Sequence, residues 1–168
     1  AWYIPPESLE KMIDAYHAEG MHLHIHTNGD EATEVTIGAI ESALKRNPRA
    51  DHRHTLQHCQ MAEEAHFRRM GKLGICANLF ANHIFIGEIS TLSKQWDRIV
   101  PPDGRDRNRQ TVGVNFAIHS DAPVTPLWPL FTAWCAVNRK TASGRTLGEF
   151  EKISVDDALR AVTIGAAY

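Results

Sequence analysis

The sequence has few cysteines and no long apolar run, and both features limit what it can be. Only three of its 168 residues are cysteines, and Cys59, Cys76 and Cys135 lie far apart in no metal-type spacing. This pattern gives no disulfide framework and no zinc finger, and it indicates a reducing compartment, for which we expect the cytoplasm. No uninterrupted apolar stretch approaches the about 20 residues of a membrane span, and no signal-like segment opens the chain. We therefore expect no membrane association.

The sequence also has no excess of charge of one sign. It contains 18 basic and 20 acidic residues, for a formal net charge of -2. This balance gives no electrostatic reason to expect binding to nucleic acid or to an anionic membrane. The 43% hydrophobic and 23% charged fractions are those of an ordinary globular domain. What is abundant is histidine, with ten residues.

Three of these histidines alternate with other residues in the segment MHLHIHTNGDEA, residues 21–32. Histidine occupies every second position of HLHIH, with Leu23 and Ile25 between. A period of two predicts a β-strand with imidazoles on one face and aliphatic side chains on the other. His26 ends this strand, and a Thr-Asn-Gly-Asp turn follows it.

The rest of the chain alternates between strand and helix patterns, which indicates an α/β fold. Short connections between such elements imply parallel strands joined by right-handed crossovers. Residues 83–112 read as irregular or weakly helical. We predict strands at residues 21–26, 53–59, 75–80 and 114–121, and helices at residues 5–20, 30–48, 62–74, 130–139 and 154–163.

Ligand-type side chains stand where the predicted strands end. His26 ends the first strand, His58 the second and Asp121 the fourth, while Asn82 and His83 follow the third. In parallel α/β sheets, chemistry gathers at the carboxyl ends of the strands. Imidazole and carboxylate are ligands for a borderline or hard divalent cation such as zinc. The joint placement therefore predicts a metal site at this edge.

Each of these residues taken alone has a more ordinary explanation. A single histidine such as His58 commonly makes a structural hydrogen bond, and the turn at Asp121 is commonly an Asp-capped corner. Their shared position at one sheet edge is what favours a site. The cysteines are expected to be small buried residues. Four further histidines lie on predicted helices or in polar loops, and we expect them to be solvated: His17, His52, His54 and His66.

Three motifs resemble the amidohydrolase superfamily, in its YtcJ-like branch (amidohydrolase family 3) that includes N-substituted formamide deformylases. HTNGDEA, residues 26–32, is similar to the H-x-x-G-D-x-A motif of that branch, and LQHCQM to its segment ending barrel strand six. HSDAPVTPLWPL followed by AVNR is similar to its strand-eight segment, with His119 where glycine is commoner. The similarity runs from about residue 2 to the C-terminus.

The resemblance implies a (β/α)8 TIM barrel with one or two divalent metals, most plausibly zinc, that hydrolyses non-peptide carbon–nitrogen bonds in small amide- or formamide-like substrates. It implies that His26 and His58 are metal ligands from strands five and six. Asp121 would be a metal ligand and the general base. His58 would either bind a second metal or hydrogen-bond the substrate carbonyl oxygen. Asn82 and His83 would approach the substrate.

The chain also departs from the family pattern. A member should carry an H-x-H pair on the first strand and a lysine or acid on strand four. The interval from His26 to Asp121 is too short for a whole barrel, which needs about 200 residues or more. Residues 1–168 are therefore expected to be the C-terminal half of the barrel, strands five to eight with their helices, without the N-terminal half and the small β domain.

Two functions remain open for this half-barrel. One is a metal-dependent amidohydrolase present as a partial chain, which alone is expected to be a poor catalyst and a weak metal binder. The other is a non-catalytic metal-binding or interaction module that has kept the fold. A half-barrel has two open sheet edges with unpaired backbone groups, so we expect self-association into a homo-oligomer through those edges.

Overall fold

Four short strands build one parallel sheet in the computed structural model, which describes residues 2–86 and 113–168. The strands lie in chain order, β1-β2-β3-β4, with every neighbouring pair parallel. Their bounds are β1 His24–Thr27, β2 Thr55–His58, β3 Cys76–Phe80 and β4 Phe116–His119. The chain therefore has the predicted α/β architecture with a parallel sheet.

Six helices accompany the strands within the described residues, and their ends follow local sequence signals. They are α1 Pro6–Ala18, α2 Asp30–Arg46, α3 Glu64–Leu73, α4 His83–Ile86, α5 Pro129–Asn138 and α6 Val155–Val162. The second helix begins with two acidic residues and ends with two basic residues, which complements the helix dipole. The third ends at Gly74, whose φ of 73° is the left-handed conformation that glycine adopts readily.

The observed elements match the predicted ones within a few residues, with two differences. Strand β1 begins at His24 rather than at residue 21. A 3-10 turn at Glu149–Glu151 was not predicted. The short helix α4 falls in the segment 83–112, which we expected to be irregular or weakly helical, and residues 87–112 lie outside the described residues.

One face of the sheet forms the hydrophobic core together with the helices. Ile25, Leu56, Leu79 and Ile118, one from each strand, pack into the same cluster. Each aliphatic side chain buried in this way contributes about 1.5–3 kcal/mol. The helices contribute buried residues that include Ile13, Ile37, Ile40, Phe67, Met70, Ala133, Cys135, Ala158 and Ala161. The three cysteines are buried free thiols, as expected.

The opposite face of the sheet, which we call the open face, carries polar side chains. His24 and His26 on β1 share this face, as the period-two pattern predicts, and both are exposed. Gln57 Nε2 lies 2.7 Å from His24 Nδ1, and Asn78 Nδ2 donates to Gln57 Oε1 at 2.8 Å. A polar ladder therefore crosses the first three strands on this face.

The expectation that His17, His52 and His54 are solvated is wrong. All three are buried, with exposed fractions of 0%, 2% and 0% respectively. They connect α1 to the start of β2, at the end of the sheet opposite to His58. His66 is also largely shielded: its Nδ1 accepts a hydrogen bond from the backbone N–H of Glu63 at 2.9 Å.

Hydrogen bonds explain how three imidazoles can be buried together. His54 Nδ1 accepts from the backbone N–H of Leu23 at 3.2 Å, so its proton is on Nε2, 2.8 Å from His17 Nδ1. His17 Nε2 then donates to the Asn47 carbonyl at 2.7 Å. His52 likewise accepts at Nδ1 from the His54 N–H at 3.0 Å, and its Nε2 donates to a carbonyl at 2.7 Å. Each nitrogen of the three neutral rings thus has a hydrogen-bond partner, either another ring or the backbone.

Among the helices of residues 2–86 and 113–168, none combines the length and the apolar character that crossing a bilayer requires.

Candidate metal centre

His58 ends β2 in an unusual backbone conformation. Its φ is 68°, and that of the following Cys59 is 51°, a left-handed region that residues other than glycine rarely adopt. Thr27 at the end of β1 holds this turn, because its hydroxyl donates to the Gln57 carbonyl at 3.2 Å. Its own carbonyl accepts the Cys59 N–H at 2.9 Å. Such strained positions cluster at functional sites, where neighbouring contacts maintain them.

Asp121 follows β4 and shows the same feature, with a φ of 54°. Its backbone N–H donates to His119 Nδ1 at 3.1 Å. Its carbonyl accepts the backbone N–H of Val124 at 2.7 Å. Both strand ends therefore turn sharply at a residue with a ligand-type side chain.

These two turns bring three side chains with possible metal-ligand atoms together at the carboxyl edge of the sheet. Ligand atoms of His58, His119 and Asp121 all lie within 4.8 Å of one another. The imidazole rings of His58 and His119 have centroids 4.9 Å apart. His58 is buried and the other two residues are half-buried, so the cluster is partly shielded from solvent but still open to it.

The predicted ligand set was His26, His58 and Asp121, and the structure places all three at this edge. His58 and Asp121 share the cluster. His26 lies beside it: its ring centroid is 4.6 Å from that of His58, and its side chain is exposed. The third member of the cluster is His119, to which the sequence reasoning assigned no role. Its i, i+2 spacing to Asp121 at a strand end was the available signal, since that spacing puts both side chains on one face.

Burial and mutual repulsion keep these imidazoles neutral. Burial lowers the pKa of His58, and nearby His26 and His83 lower it further, while the Asp121 carboxylate raises it. The pKa of His119 is lowered to about 4, chiefly by burial and then by His58, against opposing effects of Asp121 and the Asn78 backbone. Neutral imidazole is the form that binds metal ions.

The residue types at this edge fit a divalent cation, but they do not fit it equally well. His58 and Asp121 offer an imidazole nitrogen and a carboxylate, which suit zinc. His119 accepts the Asp121 N–H at Nδ1, so the neutral ring carries its proton on Nε2. That Nε2 is buried and has no hydrogen-bond partner among the described residues. In this tautomer His119 holds the Asp121 backbone through Nδ1, and its Nε2 would have to give up its proton before it could bind a cation.

The two residues predicted to contact substrate lie in different surroundings. His83, the first residue of α4, is half-buried, and its ring centroid is 5.7 Å from that of Phe80. Burial lowers its pKa. Asn82 is completely buried, and its amide donates to Thr125 Oγ1 at 2.7 Å. Asn82 therefore faces the loop that carries Asp121, and substrate contact by either residue stays a prediction.

The sequence is similar over most of its length to proteins from three organisms. It is 31% identical over 156 residues to the N-substituted formamide deformylase of Arthrobacter pascens, covering 89% of this chain and 28% of that protein. It is 29% identical over 164 residues to the Arabidopsis thaliana protein LONG AFTER FAR-RED 3, covering 96% of the chain and 28% of the relative. It is 27% identical to the putative amidohydrolase YtcJ of Bacillus subtilis, covering 96% and 30%.

Solved structures share the fold. A metal-dependent hydrolase from Pyrococcus horikoshii matches with a TM-score of 0.75 at 20% identity, covering 98% of this chain and 33% of that one. One from Pyrococcus furiosus matches with a TM-score of 0.69 at 18% identity, covering 99% and 33%. The chain thus spans about a third of the length of the proteins it matches. Because the sequence model of the amidohydrolase family matches residues 3–168, the chain belongs to the amidohydrolase family, as its motifs predicted.

Proposed function

We propose that the complete protein is a metal-dependent hydrolase that cleaves non-peptide carbon–nitrogen bonds in small amide- or formamide-like substrates. The observation that carries this proposal is the convergence of His58 and Asp121 with His119 within 4.8 Å at the carboxyl edge of a parallel sheet, where the exposed His26 ring lies beside His58. Family membership supports hydrolysis, and the name of the Arthrobacter relative supports the formamide-like substrate class.

The proposed architecture of the complete protein is a (β/α)8 barrel, of which this chain supplies strands five to eight. Four consecutive parallel strands, each followed by helical structure, support this proposal, because half of such a barrel would have this arrangement. The open face would then line the barrel interior, which accounts for its polar ladder of His24, Gln57 and Asn78. A coverage of 33% of each solved chain is consistent with a missing first half and a further domain.

We propose that His58, Asp121 and His26 are the ligands that this chain contributes to a zinc site of one or two ions. His26 is included because its ring stands next to His58 and is exposed, so its nitrogens are open to a cation. His119 is assigned a supporting role, because its Nδ1 accepts the Asp121 N–H. When bound, the cation supplies a Lewis acid, which lowers the pKa of water from about 15.7 toward 7 and polarises a carbonyl oxygen.

The chain's own residues then handle the proton. Asp121 accepts a proton from the attacking water at a carboxylate oxygen and returns it to the leaving nitrogen. His58, held neutral by burial, serves as a ligand or donates a hydrogen bond to the carbonyl oxygen. Asn82 and His83, which follow β3, are the residues proposed to approach the substrate. Of the two, only His83 is partly exposed.

Metal removal tests this function in the full-length protein. Chelation should abolish hydrolysis of N-substituted formamides, and stoichiometric zinc should restore it. The alternative, a non-catalytic metal-binding module, predicts zinc binding without hydrolysis of any amide in a broad panel. Hydrolysis that persists after metal analysis shows a metal-free protein would contradict the proposal.

Two further features of the proposal concern location and partners. Three free, buried thiols support a reducing compartment such as the cytoplasm. The partner class is a small molecule, with no nucleic acid or membrane. The isolated chain is proposed to self-associate through the edge strands β1 and β4, whose outer backbone groups have no neighbouring strand within the described sheet.

A further inference from the structure

The loop that follows β4 is tied to the end of β3 by a buried relay of hydrogen bonds. Asn82 Nδ2 donates to Thr125 Oγ1 at 2.7 Å. The Thr125 hydroxyl in turn donates to the backbone carbonyl of Ser120. The exposed fractions of Asn82, Thr125 and Ser120 are 0%, 3% and 5%. Both hydrogen bonds are therefore shielded from water, which strengthens them.

The chemistry of the groups sets the direction of this relay. A carbonyl oxygen only accepts, so the single hydroxyl proton of Thr125 is used on Ser120. The Thr125 oxygen must then accept from Asn82, which requires that Asn82 presents its NH2 group rather than its carbonyl. The relay thus has one arrangement, and it depends on an amide at residue 82 and a hydroxyl at residue 125.

The relay ends at the residue immediately before Asp121. Asp121 has a φ of 54°, and a non-glycine residue in such a conformation typically costs about 1–3 kcal/mol. Its backbone is held by His119 on the amide side and by Val124 on the carbonyl side. The Ser120 carbonyl belongs to the peptide unit that joins Ser120 to Asp121. Anchoring that peptide to β3 therefore restricts the rotation that would release the strain and turn the carboxylate away.

We propose that Asn82 and Thr125 are positioning residues. They anchor the peptide unit between Ser120 and Asp121 and thereby hold the Asp121 carboxylate at the proposed metal centre. This inference rests on the proposed cation site, and it gives Asn82 a role other than the substrate contact that its sequence position suggested. Asn82 acts through the loop, because its side chain is completely buried and its amide donates to Thr125.

The test is the zinc affinity of variants at Thr125 in the full-length protein, measured by calorimetry with zinc alone. Thr125→Val keeps the shape but removes the hydroxyl, and it should weaken zinc binding by about 10–100-fold, the usual effect of losing an outer partner of a ligand. Thr125→Ser keeps the hydroxyl and should bind within a few-fold of wild type. Asn82→Ala should also weaken binding, but less, because the Thr125 bond to Ser120 survives.

Thr36→Val is the matched control. Thr36 is 1% exposed in α2, and its hydroxyl donates to the Ala32 carbonyl at 2.7 Å, so the same change removes the same kind of bond away from the centre. Its zinc affinity should equal that of wild type. Wild-type affinity in Thr125→Val and Asn82→Ala, or an equal loss in Thr36→Val, would overturn the positioning role alone. Wild-type protein that binds no zinc would overturn the proposed cation site, and this inference with it.

Discussion

At the scale of single residues, Asp121 combines a strained backbone with the only carboxylate of the His58–His119–Asp121 cluster. Asp121→Asn should therefore affect chemistry far more than folding, because the amide is nearly isosteric and keeps both backbone bonds. We expect kcat in the full-length protein to fall by about 10²–10⁴-fold. Steady-state kinetics with metal content confirmed measures this, and unchanged turnover would remove Asp121 as the general base.

His26 and His119 compete for the place of third ligand, and asparagine separates their roles. Asparagine Oδ1 can replace Nδ1 of His119 as acceptor of the Asp121 N–H, but it lacks a ring nitrogen for zinc. His119→Asn should therefore keep zinc affinity within a few-fold. His26→Asn should weaken it by at least about tenfold, because the loss of an outer partner alone already costs that much. The opposite order in zinc titrations would make His119 the ligand.

At the scale of elements, the buried histidines connect α1 to the beginning of β2. Burial lowers the pKa of His54 to about 3, with His52 and His17 adding to the effect, and it lowers the pKa of His52 as well. Below pH 6.5 the unfolded chain thus binds protons that the folded chain does not. The free energy of unfolding should fall as the pH decreases from about 6.5 toward 3.

His54→Gln isolates this contribution. Glutamine can donate toward His17 and accept from Leu23, but it does not titrate. The slope of unfolding free energy against pH between about 4 and 6 should decrease by about 1.4 kcal/mol per pH unit relative to wild type. Urea denaturation at several pH values measures it. An unchanged slope would show that His54 takes up its proton in the folded protein.

The ion pair between Arg139 and Glu151 joins the end of α5 to the turn before α6. Both side chains are nearly inaccessible, at 3% and 2% exposed. Glu151→Ala would leave the Arg139 charge buried without its carboxylate, and we expect a loss of about 3–5 kcal/mol in unfolding free energy. Glu149→Ala is the control, since its pair with Lys152 involves a side chain that is 78% exposed. That change should cost about 0–1 kcal/mol. Equal losses of unfolding free energy in Glu151→Ala and Glu149→Ala would show that the buried pair stabilises the fold no more than the exposed one.

At the scale of the whole molecule, the sheet ends at β1 on one side and β4 on the other within the described residues. Unpaired strand edges recruit further strands. The 168-residue chain is expected to elute as a dimer or larger species in size-exclusion chromatography with light scattering, and to bind less than one zinc per chain. The full-length protein, in which the proposed barrel would pair both edges, is the control. A stable monomer with stoichiometric zinc would contradict this prediction.

Local patterns in the sequence determined the elements and the edge at which the candidate ligands lie. Alternation in HLHIH marks a strand with one polar face, and glycine, proline and charged residues mark the helix ends, because these signals act within one turn or one strand. Parallel connectivity then placed His26, His58 and Asp121 at the same edge, where the structure has them.

Only the tertiary structure decided which side chains meet there and which are buried. The i, i+2 spacing of His119 and Asp121 was visible in the sequence, but the meeting of both residues with His58 was not, because the positive φ angles at His58 and Asp121 have no sequence signal outside glycine. His17, His52 and His54 look like solvated polar residues in sequence, yet they are buried because partners up to 37 residues away satisfy their nitrogens. Asn82 is likewise buried with a distant partner, because its amide donates to the Thr125 hydroxyl 43 residues away. Hydrogen bonds between distant segments depend on how the elements pack, which no local pattern records.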